Sequence, residues 1–158
     1  MKKIMQLISM MILSACMFSC LDAGLDELPV YTEADIVDFR FEYRYDNPDK
    51  TWMDGSNAVE FIRLTTESQV FDSEKLTVAL TVRVPEASGT FTENERAKVS
   101  LSGLVGYSYI STAALITPVD GAPRLGMPGD FSSPVNYRVT AADGKTVKTW
   151  TVQAVLVK

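Results

Sequence analysis

The chain has 158 residues, the size of one ordinary domain. It carries 15 basic and 20 acidic residues, a net charge of −5, and no histidine. The negative charge repels phosphate backbones, so we expect no nucleic-acid partner. Both cysteines, Cys16 and Cys20, lie among the first twenty residues. The domain that follows therefore has no disulfide framework, no Cys- or His-based metal site and no His-dependent nucleophile.

The N-terminus has the pattern of a bacterial lipoprotein signal peptide. Lys2 and Lys3 form a positive n-region, and residues 4–13 are almost wholly apolar. This run is too short to span a membrane, which takes about 20 apolar residues. We expect Cys20 to become the lipidated first residue, so that its acyl chains hold the protein on a membrane.

Two tetrads compete for lipidation. Residues 13–16 (LSAC) match the usual lipobox better than residues 17–20 (MFSC), where Phe18 replaces a small or β-branched residue. Cleavage at Cys16, however, leaves two large apolar residues beside the anchor, whereas an acidic tether follows Cys20. The sequence favours Cys20 and leaves Cys16 open. The predicted organisation is a signal peptide over 1–19, a linker over 20–35 and one domain over 36–158.

Several segments of the predicted domain alternate apolar and polar residues with period two, as half-buried strands do. The first has four aromatic residues at alternate positions, and we expect them to face the core: Phe39, Phe41, Tyr43 and Tyr45. Turn residues predict a loop over 46–57. Less regular strands are predicted at 59–65 and 108–116, and the most regular one at 76–84, where Pro85 ends it.

The remaining local signals are a short helix, a long loop and a hairpin. Thr92 and Glu95 fit a capping box that opens one helical turn. Residues 117–134 are rich in proline and glycine, which predicts a long ordered loop with short extended pieces. Asp143-Gly144 between alternating segments predicts a type I′ hairpin turn. That turn sets Tyr137 opposite Trp150, and we prefer this aromatic pairing to a bulged alternative that shifts the register by one residue.

Strands at short spacing and no long amphipathic helix predict an all-β fold. We expect a single Ig-like antiparallel β-sandwich of about seven strands. Trp150 is expected in its core, on the same hairpin face as Tyr137.

The last part of the chain resembles a known family. Residues 129–132 (GDFS), 134–144 (PVNYRVTAADG) and 150–152 (WTV) resemble the closing motif of Ig-like domains in Bacteroidota surface lipoproteins. The resemblance implies a β-sandwich of unknown function, similar to accessory proteins near glycan-uptake systems and to adhesin-like modules. It supplies no catalytic residues, and its motif residues have structural roles: turn, packing and strand entry.

The candidate ligand-binding residues are aromatic. Trp52 lies in a polar, turn-rich loop, where an exposed ring can cover the apolar face of a sugar while polar neighbours bond its hydroxyl groups. Tyr107 and Tyr109 lie two positions apart and could extend such a platform. The structural alternatives are that Trp52 folds back to cap the sandwich and that the tyrosines pack or pair at an edge.

Catalysis has little support in the sequence. A glycosidase needs two facing carboxylates, and nothing in the spacing selects a pair from Asp72, Glu74, Glu93 and Glu95. Asp46, Asn47 and Asp49 could ligate calcium but lack the spacing of an EF-hand. We therefore expect no enzyme activity, no cofactor and no bound metal.

Two functions remain as expectations. The first is a surface lipoprotein that assists glycan capture through its loop aromatics. The second is an interaction module that docks on an outer-membrane protein through a sheet edge or the 117–134 loop, which predicts an exposed apolar patch or an unprotected edge. In both cases we expect a lipid anchor in the outer membrane, with the domain facing the cell surface or, alternatively, the periplasm.

Overall fold

The computed structural model describes residues 30–158. The predicted signal peptide, Cys20 and the first part of the predicted linker lie outside the described residues. Within 30–158 the chain forms nine strands, one short helix and one 3₁₀ turn. No helix in this part of the chain has the length and apolar character needed to cross a membrane.

The elements follow one another with short connections in most places. The strands are β1 (Ile36–Thr51), β2 (Asn57–Arg63), β3 (Thr65–Asp72), β4 (Thr77–Arg83), β5 (Leu104–Ile110), β6 (Leu115–Val119), β7 (Pro128–Gly129), β8 (Val135–Thr140) and β9 (Val147–Val157). The helix α1 (Glu93–Lys98) and the 3₁₀ turn Leu101–Gly103 lie between β4 and β5.

The strands form two sheets, in the orders β2-β1-β5-β7 and β3-β4-β9-β8-β6. The predicted all-β sandwich is confirmed. The sandwich has nine strands rather than about seven, and its β4–β9 pair is parallel, with Val78 beside Val152. The prediction of a wholly antiparallel sandwich was wrong for this pair. No tight turn joins β4 to β9, so local turn chemistry does not dictate their direction.

The inner faces of both sheets supply one aromatic-rich core. Trp150, Tyr137, Phe39 and Phe41 are fully buried, which confirms the predicted core faces of β1 and of the closing hairpin. The ring centroids of Phe39 and Phe41 lie 5.3 Å apart in an edge-to-face arrangement, a favourable geometry for aromatic pairs. The other aromatic residues of that β1 face are Tyr45, which is buried, and Tyr43, which is partly buried.

The closing hairpin has the predicted register but a different turn. Tyr137 pairs with Trp150, as expected. The strands close through the Ala141 N–H, which donates to Thr146 O at 2.9 Å. A four-residue loop therefore replaces the two-residue one, and only Gly144 has a positive φ, at 67°. The Asp143 carboxylate stabilises the loop by accepting the N–H groups of Lys145 and Thr146, each at 2.8 Å.

Three boundaries differ from the sequence predictions. β1 continues through the predicted loop at residues 46–51, because Asn47 turns its side chain inward and is fully buried. β3 was not predicted, and its polar residues extend the edge of the second sheet. The segment 108–116 is two strands rather than one, separated by a turn in which Ala113 has φ of 58°.

The long loop between β6 and β8 is ordered, as predicted. Phe131 is buried, and its ring centroid lies 4.8 Å from that of Phe41. The buried Tyr137 hydroxyl donates to Pro123 O at 2.8 Å, and burial raises the pKa of Tyr137. Gly129 is required here, because a Cβ at that position would lie 2.3 Å from the Pro123 ring.

The chain enters the sandwich at the end opposite the β1–β2 hairpin. The buried Ala34 carbonyl accepts the indole N–H of Trp150 at 3.0 Å, and Asp35 pairs with Lys148 at 2.6 Å. From this end β1 runs 16 residues, with irregular pairing between Ile36 and Asp38 and between Asn47 and Thr51. At about 3.3 Å per residue, it places the hairpin up to about 50 Å from the point of entry.

Candidate functional site

The tip of the β1–β2 hairpin is a tightly hydrogen-bonded turn over residues 52–56. The Trp52 N–H donates to Ser56 O at 2.8 Å, and the Gly55 N–H donates to Trp52 O at 2.9 Å. Gly55 has φ of 82°, a conformation that favours glycine. The Asp54 carboxylate accepts the N–H and hydroxyl of Ser56, which lowers the pKa of Asp54. The turn is therefore preorganised.

This turn presents two large apolar side chains to solvent. Trp52 is 65% exposed and Met53 is fully exposed, so Trp52 does not fold back over the sandwich. None of the aromatic ring pairs found within residues 30–158 includes Trp52. The tip therefore offers a single ring, with the exposed polar residues Lys50, Asp54 and Asn57 close by in sequence.

A polar network at the base of the hairpin holds the tip in place. Glu60 of β2 accepts hydrogen bonds from Asn47 at 2.7 Å, Lys50 at 2.9 Å and Thr90 at 2.5 Å. These bonds lower the pKa of Glu60 to about 2, with the Thr90 hydroxyl as the largest cause. The Tyr45 hydroxyl also contacts Glu60 and Thr90. The network joins both hairpin strands to the loop before α1. Asn47 Oδ1 accepts the Asp49 N–H.

The Glu60 network predicts a specific acid dependence. Because the folded-state pKa lies below the ordinary value of 4.5, Glu60 stabilises the fold in full above about pH 4.5. This contribution is lost as the pH falls toward 2. We expect Glu60→Gln to be less stable than the wild type at pH 7, with a difference that shrinks below pH 4.5. Urea denaturation from pH 7 to 2.5 measures this, and a difference that stays constant across that range would refute the assignment.

Tyr107 and Tyr109 lie on a different part of the molecule. They belong to β5, where they pair with Arg40 and Asp38 of β1 on the outer face of the four-stranded sheet. Tyr109 is 61% exposed, and Tyr107 is partly buried, which raises its pKa. Arg40 lies eleven residues before Thr51 along β1, about 35 Å in a strand. The structure therefore does not bring the two tyrosines together with Trp52.

The outer face also holds an aromatic residue that the sequence analysis missed. Phe61 of β2 is 54% exposed, and the Arg63 guanidinium lies 5.6 Å from its ring centroid. The weak alternation of β2 gave no reason to separate Phe61 from core residues.

The sheet edges are blunted against strand addition. In β2 and β3, the polar side chains of Glu60 and Gln69 point inward, and Gln69 Nε2 donates to the Phe39 carbonyl of β1 at 3.0 Å. β3 also has a bulge between Thr66 and Ser68. At the opposite edges, β7 has only two residues, and β6 contains Pro118. Such devices keep edges from pairing with another chain.

The carboxylates weighed as a catalytic pair make local structural contacts. Asp72 accepts the N–H groups of Glu74 and Lys75 in the β3–β4 turn. Glu95 pairs with Lys98 at 2.6 Å, and the Glu95 N–H donates to the Thr92 cap at 3.3 Å. That last bond confirms the predicted helix start. No group of three or more carboxylates within residues 30–158 is placed to hold a metal ion.

Comparison with known proteins places the chain in a family. Residues 36–153 match the model of the DUF5018-related family. The chain is 44% identical to a structure described as a "putative secreted protein" from Bacteroides fragilis, with a TM-score of 0.74 over 82% of this chain and 100% of that one.

A second structure, described as a "putative glycoside hydrolase" from Bacteroides thetaiotaomicron, is 21% identical with a TM-score of 0.45, over 85% of this chain and 28% of that one. No curated protein matches the chain. With three quarters of its length matched by the family model, the chain belongs to the DUF5018-related family.

Proposed function

We propose that the protein is a non-enzymatic, lipid-anchored module that captures glycans at the tip of its β1–β2 hairpin. The observation that supports this most is the 65% exposed Trp52 ring on a preorganised turn. Burying an exposed indole under a sugar ring removes apolar surface from water, and the rigid turn has little conformational entropy left to lose.

The neighbours of Trp52 supply the polar half of such a site. Lys50 and Asn57 are exposed and offer hydrogen-bond donors, and the Asp54 carboxylate offers acceptors. Because Glu60 already pairs with the Lys50 ammonium, the tip has no surplus of positive charge for an acidic ligand, and its donors and acceptors suit a neutral, hydroxyl-rich one. The tip has no cleft with two facing carboxylates, so binding is proposed here without hydrolysis.

The position of the tip suits capture away from a membrane. Anchoring at Cys20 tethers the end of the sandwich where the chain enters, and the hairpin then points outward at the opposite end. The secreted description of the Bacteroides fragilis relative supports a location outside the cytoplasm. We place the anchor in the outer membrane, with the domain at the cell surface.

The alternative function, docking on an outer-membrane protein, has weaker support. The blunted edges disfavour strand addition, and the 117–134 loop is packed through Phe131 rather than free to bind. The observation that favours this alternative is the exposed apolar pair Trp52 and Met53, which could insert into a pocket of a partner protein.

A glycan panel tests the proposal. We expect the full-length protein in mild detergent to bind at least one neutral glycan, and Trp52→Ala to weaken that binding about tenfold or more while the fold is retained. Tyr31→Ala is the matched control, since Tyr31 is similarly exposed but lies at the other end of the sandwich. Circular dichroism and a thermal melt confirm folding of each variant.

Two outcomes would contradict the proposal. One is the absence of binding across neutral and acidic glycans. The other is binding that Trp52→Ala and Tyr31→Ala leave equally intact, which would move the site away from the hairpin tip.

A further inference from the structure

The outer face of the four-stranded sheet carries a second set of exposed aromatic residues. Phe61 lies on β2, and Tyr107 and Tyr109 lie on β5, on either side of the charged central strand β1. Phe61 pairs with Arg44, and Tyr109 pairs with Asp38 six residues earlier on β1. The resulting strip, called here the outer strip, is about 20 Å long at 3.3 Å per residue.

The charges of the outer strip balance. Arg40 donates to Asp38 at 2.6 Å, and Arg44 lies 2.7 Å from Glu42. The remaining charged residues on this face are Arg63 and Asp46, one of each sign. A balanced strip gives an anionic or cationic polymer no net attraction, whereas carboxylates and guanidinium groups together bond hydroxyls as acceptors and donors.

Several donors on the outer strip make no hydrogen bond with the part of the chain that the structure describes. They include the hydroxyls of Tyr107 and Tyr109, the two NH₂ groups of Arg40 and the guanidinium of Arg63. The Tyr107 hydroxyl lies close enough to Arg63 and Arg40 for both to act on its pKa. The tyrosine rings can pack on the apolar face of a ligand, while their hydroxyl groups and the neighbouring charged side chains bond hydroxyl groups at the ligand's edge.

We infer that the outer strip binds an extended stretch of a neutral polysaccharide, as a second site separate from the Trp52 tip. This inference rests on the proposed glycan function and extends it to the ligand class. The strip is a flat face with no closed end, so it fits the interior of a chain rather than its terminus. Affinity at this subsite should therefore rise with chain length.

The test compares short and long probes on the full-length protein in mild detergent. The probes are starch, mannan, galactan and laminarin, each with its oligosaccharides of two and six units, measured by calorimetry. We expect six units to bind about tenfold tighter than two. Tyr109→Ala should remove most of that gain, and Arg63→Gln part of it, while affinity for two units stays unchanged. Tyr31→Ala is the control for both.

The outcomes separate this inference from the proposed function. Binding that depends on Trp52 but is equal for two and six units overturns the outer strip alone. The outer strip is also overturned if folded Tyr109→Ala and Arg63→Gln variants keep the full increase in affinity from two to six units. Tighter binding of polygalacturonate than of every neutral probe would overturn it as well. Absence of binding to any glycan overturns the proposed function, and this inference with it.

Discussion

Replacing Trp150 with alanine is expected to lower the free energy of unfolding by about 3–5 kcal/mol. Trp150 is 2% exposed at the centre of the core, where it pairs with Tyr137 across the closing hairpin. Its indole N–H also satisfies the buried Ala34 carbonyl, which the variant leaves without a donor. Since domains of this size are stable by about 5–15 kcal/mol, we expect partial unfolding at 37 °C.

The other tryptophan provides the control. Trp52→Ala removes an exposed ring from a loop tip and should change the free energy of unfolding by less than about 0.5 kcal/mol. Urea denaturation followed by far-UV circular dichroism measures both variants without relying on tryptophan signal. Equal destabilisation by the two substitutions would show that the tip ring packs on the domain, contrary to the structure.

Replacing Phe131 with alanine should cost a similar amount, about 3–5 kcal/mol. The Phe131 ring contacts the rings of Phe39 and Phe41, with centroids 6.3 and 4.8 Å away. It also covers Gly106, where a Cβ would lie 2.8 Å from the ring. Loss of the ring therefore opens a cavity under the long loop and removes its main attachment to the core.

A more conservative substitution separates cavity formation from loss of loop anchoring. Phe131→Leu keeps an apolar side chain in the core and should recover more than half of the stability that Phe131→Ala loses. Limited proteolysis of Phe131→Ala should cut first within residues 120–130, before global unfolding. Resistance of this loop in a folded Phe131→Ala protein would show that Phe131 does not anchor it.

The sequence predicted best where local chemistry decides the structure. The alternation around Phe39 and Tyr137 located two buried faces, and the aromatic pair selected the hairpin register. The type of turn was wrong because the Asp143 carboxylate bonds two N–H groups of a longer loop. The predicted two-residue loop and the observed four-residue loop are both centred between Asp143 and Gly144, so the strand register is the same.

The errors arose where tertiary contacts override local signals. Asn47 is a turn residue by propensity, but its bond to Glu60 draws it into β1. β3 has weak strand propensity. It forms because β4 offers a pairing partner and because the Gln69 side chain donates to the Phe39 carbonyl of β1 in the other sheet. The parallel β4–β9 pair joins strands far apart in the chain, which no local pattern encodes.

The candidate site was predicted only in part. The sequence left open whether Trp52 is exposed in its polar, turn-rich loop or folds back over the sandwich, and the structure shows that its side chain is exposed. The grouping of Trp52 with the two β5 tyrosines was wrong. β1 continues through the segment predicted as a loop, and this extension carries Trp52 away from the tyrosines. The outer strip requires the pairing of three strands, so Phe61 could not be joined to Tyr107 before the register was known.

The most direct test of the glycan-capture proposal uses the difference between the two tryptophans. Trp52 is exposed and Trp150 is buried, so acrylamide should quench the fluorescence of Trp52 alone. We predict that a bound neutral glycan protects this fluorescence from acrylamide, with a dose dependence that matches its affinity, and that Trp52→Ala has no such protection. Unchanged quenching at saturating glycan would contradict binding at the hairpin tip.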